Sequence, residues 1–111
     1  MDRRLNNRAL ADLDVEVIRL RRQEQSFSGR LEDLSDAGMC VILPCELVPD
    51  ELVRLEAADS TLYGHVIYST WKRNAFRTGV ELERVLLGET DLAELLRAAV
   101  EDAIPGVLRS R

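Results

Sequence analysis

The sequence predicts a mainly β fold: a small six-stranded antiparallel barrel followed by a C-terminal α-helix. Three observations carry this. Between residues 11 and 84, short runs with two-residue alternation or β-branched content recur between turn residues. From Thr90 the apolar period changes to that of a helix. The length of 111 residues, 46% of them hydrophobic, suits one compact domain with a real core and leaves no room for a second.

Residues 11–20 alternate, with Leu13, Val15, Val17 and Arg19 on one side and Asp14, Glu16, Ile18 and Leu20 on the other, so this strand has apolar content on both faces. Residues 21–29 are polar and end in Ser26-Phe27-Ser28-Gly29, which reads as a hairpin connection, and residues 30–34 form the returning strand. Residues 38–43, Gly-Met-Cys-Val-Ile-Leu, have the near-continuous apolar character of a buried strand. Pro44 and Pro49 then bracket a connection that cannot be a central strand, because proline donates no ladder hydrogen bond.

Residues 52–57 alternate again before a turn at Asp59-Ser60. The longest β signal is residues 62–71, rich in β-branched and aromatic side chains; Lys72-Arg73-Asn74 makes the bend, and residues 76–83 return with Gly79 inside. Thr90 is a good helix N-cap and Asp91 stands in the first turn, where a carboxylate meets the positive end of the helix dipole. Leu92, Leu95, Leu96, Ala99, Val100 and Ala103 recur at helical spacing until Pro105-Gly106 stops the run. The single domain of residues 1–111 thus divides into a flexible arginine-bearing segment (1–10), a barrel (11–84) and a helix (90–104).

Charge narrows the function. The net charge of −5 and the sequence pI of 4.9 argue against a protein that coats a nucleic-acid polymer, which needs a basic field along the phosphate track. A small dianion needs only a local patch, and Arg3, Arg4 and Arg8 supply one. Cys40 and Cys45 are too few for a disulfide framework or zinc site, and His65 stands alone, so all three read as structural. No nucleophile and base constellation, metal cluster or phosphate-cradling glycine loop points to an enzyme or a bound cofactor. No stretch is apolar and long enough to span a membrane, and the polar N-terminus lacks the apolar segment of a secretion signal, which predicts a cytosolic protein with no membrane insertion.

Two polar clusters carry the functional signal: Arg4 and Arg8, joined by Leu5-Asn6-Asn7, and, after the first strand, Asp33-Leu34-Ser35-Asp36-Ala37-Gly38. In this order and context they resemble the signature of PilZ domains, receptors for the bacterial second messenger cyclic di-GMP. The resemblance extends over most of the chain, with Gly64-His65-Val66-Ile67-Tyr68 and Gly79-Val80-Glu81-Leu82 similar to the family's fifth and sixth strands, and it implies a PilZ-type barrel with a following helix. The chemistry is apt. Arginine forks meet phosphates or the O6/N7 edge of guanine through paired hydrogen bonds, and a guanidinium plane can stack on a purine. Asp33 offers an acceptor to guanine N–H groups or to an arginine that holds the base, Ser35 a hydroxyl for ligand or loop backbone, and Gly38 a conformation or close approach that other residues resist.

The resemblance further implies that Arg3, just before the arginine pair, engages a second ligand molecule, and that Tyr68 or neighbouring Trp71 is an aromatic near the binding surface. Their odd offset along a strand puts the two on opposite sides, one of them in the core. The implied function is a receptor whose arginine segment orders over cyclic di-GMP and signals to a further protein. The alternative is a PilZ-like adaptor that works by protein contact without nucleotide.

Overall fold

The computed structural model describes residues 13–21, 25–35, 38–100 and 107–109. Six antiparallel strands close a barrel: β1 (Asp14–Arg19), β2 (Ser26–Ser35), β3 (Gly38–Leu43), β4 (Leu52–Ala57), β5 (Ser60–Lys72) and β6 (Ala75–Leu87). Around the barrel the order is β3-β2-β1-β4-β5-β6, and β6 pairs back onto β3. The helix α1 spans Asp91–Val100 and packs on β2 and β6. A short strand absent from the sequence expectation, β7 (Val107–Arg109), lies parallel to residues 85–87 of β6. Three residues are too few to show a period, and only their partner makes them a strand.

Alternation places the core. Val15 and Val17 from β1, Leu31 and Leu34 from β2, Val53 and Leu55 from β4 and Leu62 and Val66 from β5 are buried in one cluster, with Val41 and Leu43 from the apolar β3. Ala93 and Leu96 of α1 join the same cluster. Burying each large aliphatic side chain contributes roughly 1.5–3 kcal/mol. The segment between the two prolines, whose path the sequence did not specify, drives Leu47 into this core, and its backbone runs beside β5 through Asp50 N–H to Val66 O (2.7 Å) and Val66 N–H to Glu51 O (2.9 Å).

Arg19 lies on the inward side, as the alternation implied, because it has a partner. Its Nη2 donates to Glu51 Oε1 at 2.9 Å and its Nε to the other oxygen, with both side chains almost wholly buried. The hydrogen bonds to Glu51 hold the guanidinium charged, above its ordinary range.

One expectation is overturned. Ser26-Phe27-Ser28-Gly29 is not a connection but the start of β2, paired with residues 15–18 of β1. Phe27 packs against the core, and Gly29 is buried where a Cβ would lie 2.6 Å from Leu43 Cδ2, so this small polar run is a strand that admits a neighbour. The turn after β4 is also one residue earlier than expected, at Ala58 and Asp59, with Ser60 already in β5.

Thr90 caps α1 as expected: its Oγ1 accepts from Ala93 N–H at 3.2 Å. Asp59 reaches it from the β4–β5 turn, accepting from Thr90 Oγ1 at 2.8 Å and Glu89 N–H at 2.7 Å, and these bonds hold its carboxyl below the usual carboxylate range. The end of the expected helix, including Ala103 and Pro105-Gly106, lies outside the described residues.

Candidate ligand-binding cleft

On the outer barrel wall, one row of paired residues crosses four strands: Asp33 on β2 opposite Cys40 on β3, Cys40 opposite Gly79 on β6, and Gly79 opposite Tyr68 on β5. Along this row and the next toward Gly38 lies a cleft of about 320 Å³ lined by Asp33, Gly38, Met39, Cys40, Ile67, Tyr68, Gly79, Val80 and Glu81. That is the lower end of the size range of ligand pockets, about 300–1,000 Å³.

Two β-bulges build its sides. Pairing of β2 with β3 slips between Leu31 and Asp33, so Glu32 and Asp33 are both exposed although consecutive. Pairing of β5 with β6 slips between Val66 and Tyr68, so Ile67 and Tyr68 are likewise both turned out. Without that extra residue Tyr68 would continue the inward phase of Leu62, Gly64 and Val66.

Two glycines make the floor. Gly38 has φ of 138°, a conformation L side chains rarely adopt, and a Cβ there would meet Val80 O at 2.2 Å. At Gly79 a Cβ would lie 2.2 Å from Tyr68 Cε2, so the tyrosine ring lies across β6 in the space the glycine leaves. Its hydroxyl donates to Cys40 Sγ at 3.9 Å, and 46% of the residue stays exposed. Burial pushes the Cys40 thiol and the Tyr68 hydroxyl upward, so both are neutral at pH 7. Asp33 and Glu81 have no hydrogen bond or ion pair among the described residues, and the described lining contains no lysine or arginine. The cleft thus presents free acceptors, one open aromatic face and a close backbone.

A model of the PilZ domain matches residues 2–100. The chain belongs to the PilZ domain family. Comparisons with curated proteins and with solved structures gave no match. PilZ domains are binding and adaptor domains, and the family is generally one of cyclic di-GMP receptors. The closed six-stranded barrel with its short following helix fits that family. No helix among the described residues is long and apolar enough to cross a membrane.

Within this PilZ barrel the expected site residues are placed as follows. Asp33, Gly38 and Tyr68 come together in the cleft. Ser35 pairs with Gly38 at the end of β2. Arg3, Arg4 and Arg8 lie outside the described residues. Trp71 is not in the lining; it stands near the β5–β6 hairpin tip, edge-on to Phe76 with ring centroids 5.0 Å apart.

The expectation that one of Tyr68 and Trp71 is core does not hold, since Trp71 is 59% exposed and Tyr68 nearly half. The bulge turns out the first, and the hairpin tip leaves the second uncovered. In the sequence Glu81 and Ile67 stand only within the segments similar to the family's fifth and sixth strands, with nothing to mark either as a site residue. The pairing of β3 with β6 brings Glu81 beside Gly38, a contact between distant segments that no local motif encodes.

Proposed function

We propose that this PilZ domain is a cytoplasmic receptor for cyclic di-GMP, with the nucleotide held in the cleft between Asp33, Tyr68 and Glu81. The single observation that carries the reading is the cleft's chemistry: two carboxylates with no partner among the described residues, beside an open tyrosine face, at the end of the Asp33–Gly38 motif. Guanine offers N–H donors that a carboxylate accepts and a ring that stacks on an aromatic. Its phosphates need cations, which the reading assigns to Arg4 and Arg8, with Arg3 reaching a second ligand molecule. The arginine segment orders over the ligand and presents a new surface to a partner protein.

Calorimetry tests this directly. Cyclic di-GMP should bind, and linear GMP and cyclic AMP should not, because only the two-guanine, two-phosphate ring engages the cleft and both arginines. Arg4→Ala or Arg8→Ala should weaken binding about tenfold or more, the loss of a bidentate contact of roughly 1–3 kcal/mol. A lack of heat or competition at micromolar concentrations would remove the receptor reading, and affinity unchanged in both variants would favour an adaptor.

A further inference from the structure

Beside the cleft stands a cation, Arg77, engaged with Glu32 and with the cleft's Cys40. Arg77 on β6 is opposite Ile42 on one side and Thr70 on the other, one outward row along from Cys40, Gly79 and Tyr68. Its Nη2 donates to Glu32 Oε1, the residue that the β2 bulge turns outward. Its Nε is closed off from solvent and has no hydrogen-bond partner. The same Glu32 oxygen lies 3.8 Å from Cys40 Sγ, the cleft atom on which the Tyr68 hydroxyl converges. The ion pair therefore stands at the cleft's wall.

The pair is easily exchanged. Arg77 and Glu32 side chains are 36% and 38% exposed, and an ion pair this open to water is weak. A phosphate presents the same planar recognition to a guanidinium that a carboxylate does and can take two of its N–H groups at once. Local charge sharpens the contest: around the cleft, Glu32, Asp33 and Glu81 are acidic and Arg77 is basic, so an arriving dianion meets an acidic wall until Arg77 turns to it.

We propose that Arg77 is a phosphate-engaging residue of this site and that Glu32 is its internal competitor, holding ligand affinity below what the cleft can reach. The inference rests on the cyclic di-GMP reading above and adds a regulatory element to it.

The test is calorimetry of cyclic di-GMP against the full chain and four variants, with circular dichroism confirming the fold of each. Arg77→Gln should bind about tenfold more weakly, with a shallower dependence on salt, and Arg77→Lys should fall between it and the native protein. Glu32→Gln should bind about fivefold more tightly, the scale of an exposed ion pair. The deciding variant combines Glu32→Gln with Arg77→Gln. It should bind like Arg77→Gln alone, since freeing Arg77 is the whole source of the gain. A fivefold gain that survives without Arg77 would make Glu32 only a repulsive charge and overturn the competition. Unchanged affinity in either single variant would overturn it too. If the native protein bound no cyclic di-GMP, the receptor reading itself would fall, a result distinct from native binding that ignores Glu32 and Arg77.

Discussion

The cleft and the helix anchor use the same device to opposite ends. In each, a glycine lets a side chain from a neighbouring segment lie against the backbone: Tyr68 over Gly79, and Asp59 against Gly88, where a Cβ would fall 2.0 Å from the carboxylate carbon. At the anchor, both Asp59 oxygens accept hydrogen bonds, from Glu89 N–H and Thr90 Oγ1, and Gly88 N–H donates to Ser60 Oγ at 3.1 Å. At the cleft, Asp33 and Glu81 take none among the described residues. A polar contact satisfied within the chain serves stability, whereas acceptors held on rigid strands and left to water are available to a ligand.

Substituting the two glycines separates these roles. Gly79→Val should unseat Tyr68 and fill the floor, weakening cyclic di-GMP binding about hundredfold through lost base stacking, worth roughly 1–3 kcal/mol, and steric exclusion. Its urea midpoint should change little, because the displaced ring can swing into solvent. Gly88→Ala should do the reverse, lowering the urea midpoint by forcing Asp59 off the helix end while the folded fraction binds normally. Calorimetry and urea denaturation on both variants give the four values needed. If both variants lost mainly stability, Gly79 would be only a packing position and the contrast would collapse.

The anchor was the more legible of the two regions because its signals are local. Thr90 and Asp91 precede a helical period, and that sequence alone placed the cap. The barrel was legible for a similar reason, since alternation in β1 and β4 and the β-branched and aromatic content of the β5–β6 hairpin are local signals. The cleft depends on what alternation hides. A bulge adds one residue and reverses the phase beyond it, so the exposure of Tyr68 could not be counted from Val66. One trace was present: Leu31 and Leu34, both fully buried, are three apart rather than two, which marks the slip that turns out Glu32 and Asp33 together. Ser26 to Gly29 failed in the other direction, as serine and glycine imitate a turn when their neighbours are unseen. Glu81 required the closure of β6 onto β3, which is a property of the whole barrel.

The smallest expected effect concerns the anchor's charge, and it asks whether satisfaction there is ionic or only geometric. Hydrogen bonds from Glu89 N–H and Thr90 hold the Asp59 carboxyl below its ordinary value, so the folded chain releases this proton more readily than the unfolded chain does. The stability it contributes is fully present above the unfolded value, about 3.9. It is lost as pH falls from there through the lower folded value. Asp59→Asn keeps one acceptor oxygen and removes the charge, which isolates this group from the other carboxylates that titrate in the same window. Urea midpoints should therefore show the native protein ahead of Asp59→Asn at pH 7, with the gap narrowing below about pH 4. A gap of equal size at pH 7 and pH 3 would mean that the anchor holds by shape and neutral hydrogen bonding alone, and that its difference from the cleft lies in which acceptors are filled rather than in any use made of their charge.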